Sequence, residues 1–339
     1  MAKPLLIPGT QATTLVDQNG TEIYDAVRMG LPLIAKSLGG TPKDEWVAIM
    51  SMEHQPGELA PVRTSLKDGT SLDYGVISRT PYSLLDYEDW GYDWRADLRW
   101  NAERLVDDLQ IRLGIVGSRA NLVGHSQGGM IIVLASKIAG PEEWSRLVKR
   151  AVLVGSPLAG TMVALEAILT GSGALGTENR LLARDMARSW PALHQMLPSW
   201  PCVEDEDGEP RPADEQIFGA NGWPGQTGIQ ADMLTRAEEC QALLKNPFAD
   251  FGDVEVRAFM GSNHKTPLEL RRDSPLDVGE LVEEKKAGDN LVPFAHTRGW
   301  GDDTFNAAVR EFRKHVRNHA RLCADIRIVT RIGSFLEDE

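Results

Sequence analysis

The sequence contains few cysteines, and their spacing excludes the folds that depend on them. Among 339 residues there are three, Cys202, Cys240 and Cys323, and no pair is close enough to form a C-x-x-C motif. Small disulfide-rich domains and structural zinc sites both need closely spaced cysteines. We therefore expect free thiols, no disulfide framework, no metal site and no cofactor.

Long apolar segments are absent as well. No stretch approaches the roughly 20 apolar residues of a transmembrane helix. Near the N-terminus no more than three apolar residues stand in a row, at 5–7 before Pro8, which is short of the about 7 to 15 that a secretory signal needs. We expect a cytoplasmic protein that makes at most transient contact with lipid surfaces.

Basic residues are outnumbered. The chain has 36 Lys and Arg against 49 Asp and Glu, a net charge of -13. Nucleic acids and anionic membranes bind mainly through Lys and Arg, so neither is an expected partner. The composition, 42% hydrophobic and 25% charged, is typical of a globular protein with a sizeable core.

Strand-like and helix-like segments alternate along the chain, which predicts an α/β fold with a mostly parallel central sheet flanked by helices. Between residues 160 and 250 the pattern changes to helical segments interrupted by prolines, without a clear strand. We interpret this part as an inserted helical cap. The predicted organisation is a first core part at 1–160, a cap at 161–250 and a second core part at 251–339.

Individual elements can be predicted from periodicity and from helix start and stop signals. Asn101 is the expected cap of a helix that runs through Leu113, and Gly114 supplies the stop signal. The predicted strands are 5–7, 120–123, 151–154, 254–260 and 280–286. The other predicted helices are 130–139, 180–189 and 304–317. An apolar segment at 326–332 follows, and its pattern fits either a strand or a helix.

One turn between a predicted strand and helix carries the strongest chemical signal. Gly124-His125-Ser126-Gln127-Gly128 matches G-x-S-x-G, the sharp turn that presents a nucleophilic serine at a helix N-terminus. Gly124 and Gly128 are needed where a side chain would collide with neighbouring backbone. This turn matches neither of the glycine-rich phosphate-binding motifs G-x-x-x-x-G-K-[ST] and G-x-G-x-x-G. We therefore predict that Ser126 is a nucleophile.

A serine nucleophile needs a histidine base and an acid that orients it, and in folds with this motif both follow the serine, acid first. The best acid is Asp289, in a turn after a strand-like segment. Asp302 and Asp303 compete, but we interpret them as the cap of a final helix.

Five histidines lie downstream of Ser126: His194, His264, His296, His315 and His319. His194 falls in the cap, and His264 precedes the acid. We favour His319, because the apolar residues after it, Leu322, Ile326, Val329 and Ile332, would pack on the sheet. His315 remains the alternative. The two could be imagined as a zinc pair, but the glutamate of H-E-x-x-H is missing.

Acyl transfer also needs amide donors for the developing oxyanion. One is expected from the residue after the nucleophile, Gln127, and the other from the loop after the first strand, which nominates the N–H of Thr10. Tryptophans 90, 94 and 100 are interpreted mainly as packing. Met162, Leu165, Ile168 and Leu169 at helical spacing indicate plain core, with the lining of an acyl pocket as the alternative.

Together these segments resemble the lecithin:cholesterol acyltransferase-like branch of the α/β-hydrolases. The resemblance is carried by Leu5 to Gly9, Tyr92-Asp93-Trp94-Arg95, the turn around Ser126, residues 155–160, and Gly288-Asp289 through Pro293. It implies an α/β-hydrolase fold, with Ser126, Asp289 and His319 as the triad and Thr10 and Gln127 at the oxyanion. We assign Asp93 and Arg95 to a buried ion pair that supports the site.

The implied function is hydrolysis of lipid-like or other carboxylic esters through an acyl-enzyme. Two alternatives stay open: an acyltransferase that passes the acyl group to an alcohol, and a non-catalytic lipid-binding protein on the same scaffold. Sterol acylation is not carried over, because the secreted animal members have disulfides and a lipoprotein context that this chain lacks.

Overall fold

A computed structural model gives the fold. It describes these residues: 3–13, 15–16, 22–24, 50–51, 60–61, 86–171, 180–204, 210–211, 213, 217–219, 223, 228–271, 280–300, 309–312, 318–322 and 325–337. His315, Asp302 and Asp303 lie outside these residues, as does Cys323.

The centre of the molecule is a parallel sheet. Its described strands are β1 (Leu5–Ile7), β5 (Glu88–Asp89), β6 (Ala120–His125), β7 (Val148–Val154), β10 (Glu255–Gly261) and β13 (Val309–Phe312), in the order β13-β10-β7-β6-β1-β5. Every neighbouring pair among them is parallel. The predicted α/β class is confirmed.

The described residues form two smaller sheets besides the central one. The first contains β12 (Glu280–Gly288), β11 (His264–Arg271), β8 (Val203–Glu204) and β9 (Pro210–Arg211), and the second contains β3 (Glu22–Tyr24), β2 (Leu15–Val16) and β4 (Ala60–Pro61). β11 and β12 form an antiparallel hairpin that brings Gly288 opposite His264. The hairpin therefore returns the chain to the end of β10.

Helices complete the fold. Among the residues that the structure describes, they are α1 (Leu98–Val116), α2 (Gln127–Leu147), α3 (Met162–Thr170), α4 (Arg180–Ser189), α5 (Pro191–His194), α6 (Ala231–Leu244), α7 (Phe294–Trp300), α8 (His319–Leu322) and α9 (Ile326–Glu337). None of the helices in the described part of the chain combines the length and apolar character that a membrane span requires.

The two faces of the sheet are buried by different helices, as the alternation of strand side chains requires. Leu122 and Leu153 pack into the larger core with α1 and α2. Val123 and Val154 point to the opposite face, where Leu322 of α8 and the apolar side of α9 cover them. Leu322, Val329 and Ile332 are buried as predicted, but Ile326 is exposed.

The described residues between β7 and β10 lie outside the central sheet, although those two strands are neighbours in it. They include α3 to α6 and also β8 and β9, two short strands that the sequence pattern did not indicate. The boundaries 161–250 of a separate cap stay a prediction.

One predicted helix start and one predicted helix were wrong. Helix α1 begins after Asp97, whose carboxylate accepts from the amide of Arg99, rather than at Asn101. It ends before Gly117, which has a φ of 72°. Asn101 is instead buried and donates to the carbonyl of Asp93 at 2.9 Å. Within 304–317, the described residues Val309–Phe312 form the parallel edge strand β13 rather than a helix.

His194, at the end of α5, is fully buried with its Nδ1 3.0 Å from the Trp190 carbonyl. Burial lowers the pKa of His194 from 6.5 to about 4; the Trp190 hydrogen bond and Asp232 oppose this shift, and Arg188 adds to it. The folded protein therefore holds a neutral imidazole here, and Nδ1 is the donor.

This burial predicts a loss of stability in acid. The unfolded chain binds the proton on this histidine before the folded protein does, so stability present above pH 6.5 is lost as the pH falls toward 4. The variant His194→Asn keeps an amide donor for Trp190 and removes the titration. Its free energy of unfolding in urea should fall less steeply on acidification, by up to about 1.4 kcal/mol per pH unit. Equal slopes in both proteins would contradict the prediction.

Candidate active site

Ser126 stands at the sharp turn between β6 and α2. Its backbone has a φ of 52° and a ψ of -123°, a strained conformation for a residue with a side chain. A Cβ on Gly124 would lie 2.7 Å from Cα of Gly129, and one on Gly128 would lie 2.1 Å from the Ile7 carbonyl oxygen. Glycine is required at both positions because strand and helix approach so closely.

Three side chains form one hydrogen-bonded chain at this turn. His319 Nε2 lies 2.8 Å from Ser126 Oγ, and His319 Nδ1 lies 2.9 Å from Asp289 Oδ2. All three residues are buried, with Ser126 the most accessible at 8%. The structure thus brings together the predicted serine, histidine and acid, although 193 residues separate Ser126 from His319.

The Asp289 carboxylate is held in place by its own loop. Its Oδ1 accepts from the amides of Leu291 and Val292 at 3.1 and 2.8 Å, which leaves Oδ2 for the imidazole. The amide of His319 donates to the carbonyl of Asp289 at 2.8 Å. Acid and imidazole therefore have a fixed mutual orientation.

Several residues that support the acid were missed by the sequence analysis. Asn290 has a φ of 79°, its side-chain oxygen lies 3.0 Å from the His319 amide, and its own amide donates to Thr266 Oγ1. A Cβ on Gly261 would lie 2.9 Å from Cβ of Asp289, and one on Gly155 would lie 3.3 Å from the His319 ring. Only the Gly155-Ser156-Pro157 turn gave a sequence signal for this group.

A second imidazole packs against the first. The rings of His125 and His319 have centroids 5.0 Å apart, and His125 is fully enclosed. Burial, and then the neighbouring His319, lower the pKa of His125 well below its ordinary value. His125 is therefore neutral, and the paired rings do not both carry charge.

The loop after β1 lies against the turn at Ser126. The amide of Ala12 donates to the carbonyl of Gly9, closing a turn in which Gln11 has a φ of 65°. The Thr10 hydroxyl donates to the side-chain oxygen of Gln127 at 2.9 Å. The two residues nominated for the oxyanion are thus in contact through their side chains.

The other histidines considered as bases occupy different places. His194 is buried in α5, His264 begins β11 opposite Gly288, and His296 stacks on Trp200 with ring centroids 4.6 Å apart. Within the described ranges, no group of three or more potential metal-ligating side chains is arranged to hold an ion.

Asp93 and Arg95 form the ion pair that was predicted for them. Both are buried, and two hydrogen bonds of 3.0 and 2.9 Å join the guanidinium to the carboxylate. Arg95 also donates to the carbonyl of Met50, which accepts from the Trp190 indole as well. The amide of Ala192 donates to the Arg95 carbonyl. The pair therefore connects three distant segments.

The apolar face of α3 is buried. Met162, Leu165, Ile168 and Leu169 all belong to the larger core. Of the three early tryptophans, Trp94 packs edge-on against Trp190, and Trp90 stacks on Tyr92. These contacts support the interpretation of these residues as packing.

A parallel sheet flanked by helices, with a serine on a strained strand-to-helix turn, defines a class of α/β proteins. Residues 39–301, more than half of the chain, match the alpha/beta hydrolase family. The chain therefore belongs to the alpha/beta hydrolase family, which makes it a hydrolase. A comparison with curated protein sequences found no match.

A comparison with solved structures found chains of similar fold. A chain of the Tle4-Tli4 complex superposes with a TM-score of 0.63 and 14% sequence identity, covering 98% of both chains. The Bacillus licheniformis lipase BlEst2 in its mature form gives a TM-score of 0.46 and 10% identity over 98% of this chain and 91% of that one. The similarity to the chain of the Tle4-Tli4 complex supports the fold.

Removing the charge of Arg95 should destabilise the protein strongly. Arg95→Met leaves the Asp93 carboxylate buried without its guanidinium, which costs about 3–5 kcal/mol in comparable cases. Urea unfolding measures this loss. The matched control is Arg146→Met, which breaks an exposed ion pair with Glu143 on α2 and should leave stability unchanged. Similar, small effects for both variants would show that the buried pair is dispensable.

Proposed function

We propose that this hydrolase cleaves carboxylic esters through a Ser126–His319–Asp289 triad and an acyl-enzyme intermediate. The observation that supports the proposal most directly is the continuous hydrogen-bonded chain from Asp289 Oδ2 through both nitrogens of His319 to Ser126 Oγ. A serine hydroxyl is a weak nucleophile without such a base, and a base needs an acid to fix its tautomer.

In the proposed mechanism, Ser126 Oγ attacks the ester carbonyl while His319 Nε2 takes its proton. Asp289 holds the Nδ1 proton and stabilises the imidazolium that forms. The oxyanion is bound by the amides of Gln127 and Thr10, each worth about 3 kcal/mol in related sites. His319 then protonates the leaving alcohol, and water, activated by the same imidazole, releases the acid and restores Ser126.

We further propose that the chain belongs to the lecithin:cholesterol acyltransferase-like branch, with lipid-like esters as its substrate class. The sequence Tyr92-Asp93-Trp94-Arg95 supports this assignment, and the buried position of its ion pair agrees with the supporting role proposed for it. A series of p-nitrophenyl esters of increasing chain length, followed by phospholipids and triglycerides, measures the acyl and head-group preference.

Passing the acyl group to an alcohol would use the same residues. Product analysis with a limiting alcohol distinguishes the two reactions, because a hydrolase releases mainly free acid whereas an acyltransferase forms mainly the new ester. The non-catalytic alternative predicts no turnover and no reaction with a serine-directed probe.

The triad proposal predicts the behaviour of single variants. A fluorophosphonate probe should label the wild type but not Ser126→Ala, and ester turnover should fall by about 10⁴-fold or more in Ser126→Ala and His319→Ala. Asp289→Asn should lose about 10⁴-fold, because the amide favours the wrong tautomer of His319. His315→Ala should retain nearly full activity.

The matched serine control is Ser136→Ala. Ser136 is buried in α2 and its hydroxyl donates to the Val133 carbonyl within the same helix, so labelling should persist. Unchanged turnover in Ser126→Ala would refute the nucleophile, and loss of turnover in His315→Ala alone would transfer the role of base to that residue.

A further inference from the structure

The side chain of Gln127 links the turn at Ser126 to the loop after β1. The proposed reaction depends on the relative position of these two segments. We infer that Gln127 is a positioning residue, which holds the loop after β1 against the turn at Ser126 and thereby fixes the Thr10 amide at the oxyanion. The inference rests on the proposed function, and it concerns a side chain whose residue was nominated only for its backbone N–H.

The orientation of the Gln127 carboxamide follows from its partners. Its Nε2 lies 2.9 Å from the Trp94 carbonyl, which can only accept, so this end must be the NH₂ group. Its Oε1 therefore faces Thr10 Oγ1 at 2.9 Å, and the threonine hydroxyl must donate. Gln127 is fully buried, so water does not replace these bonds.

The loop after β1 is fixed closer to the strand by other contacts. Tyr92 donates its hydroxyl to the carbonyl of Pro8 at 2.7 Å and also lies 3.3 Å from Gln127 Oε1. The backbone of Gly128 packs directly on Ile7 and Pro8. On the far side of the turn, Thr13 accepts from the Trp94 indole and the Tyr92 amide at 3.1 and 3.4 Å. The Gln127–Thr10 hydrogen bond lies between these two anchors, at the residue that carries the second oxyanion amide.

Loss of the Gln127–Thr10 hydrogen bond should weaken stabilisation of the transition state more than it weakens substrate binding. An oxyanion amide works only if it points at the place where the negative oxygen develops, and a misplacement of about 1 Å can cost on the order of 100-fold in rate. Since the same residue supplies one oxyanion amide from its backbone and secures the other through its side chain, both donors move together.

Four variants test the role. Gln127→Met keeps the length of the side chain without its hydrogen bonds, Thr10→Val removes the hydroxyl with little change in shape, and Thr10→Ser keeps the hydroxyl. We expect kcat to fall about 10- to 100-fold in Gln127→Met and in Thr10→Val with KM changed less than about twofold. Thr10→Ser should recover most of the kcat that Thr10→Val loses, because the hydroxyl is kept. The double variant should be no slower than the slower single variant, because both remove the same link.

The contrary results are equally specific. A wild-type kcat in Thr10→Val, or losses that multiply in the double variant, would overturn the inference, as would a rise in KM with an unchanged kcat. Thr10 is only partly buried, so Thr10→Val tests the link even if Gln127→Met does not fold. Failure of the proposed function looks different: the wild type itself would then show neither turnover nor labelling at Ser126.

Discussion

The close approach of strand and helix around Ser126 is the constraint on which the rest of the site depends. The serine adopts a φ of 52°, a conformation that costs on the order of 1–3 kcal/mol. The surroundings offset this cost: the Ser126 amide donates to the Val154 carbonyl at 2.9 Å, and the glycines at 124 and 128 let backbone meet backbone. In return, the hydroxyl stands at the carboxyl end of a central strand, within reach of His319 at the start of α8. Without that bend, Ser126 Oγ could not lie 2.8 Å from His319 Nε2.

Sequence reasoning located the parts of the site whose signal is local. The turn at Ser126 could be predicted because glycine spacing, the preceding apolar strand and the following helix all agree, and His319 because buried apolar residues follow it. The supports of Asp289 could not, since Asn290, Thr266 and Gly261 come together only through the β11–β12 hairpin and β10. The failure at Val309–Phe312 has a similar cause, because pairing with β10 overrides local helical character there. Asn101 was misread because its amide serves the Asp93 carbonyl rather than a helix end.

The Asp93–Arg95 pair illustrates what a buried charge can contribute besides stability. Taking both groups out of water is costly, and an apolar pair of similar size is often no less stable. An apolar pair would, however, lack the five N–H donors of the guanidinium. Here the guanidinium joins Asp93 to the Met50 carbonyl, and the same carbonyl accepts from Trp190. The backbone carbonyl of Arg95 also accepts a hydrogen bond from the Ala192 amide. The geometry of the charged pair thus sets how the chain around residue 190 meets the segment that leads into α1, a relation that apolar contacts alone would leave less defined.

The electrostatics of the paired imidazoles follow from the same packing. In the proposed mechanism His319 becomes positive when it takes the proton of Ser126, and the Asp289 carboxylate 2.9 Å away stabilises that charge. A second charged ring 5.0 Å from it would oppose protonation. Burial removes this conflict, because it lowers the pKa of His125 far enough to keep that ring neutral. In the proposed mechanism His319 can therefore carry the charge, because the neighbouring ring of His125 stays neutral.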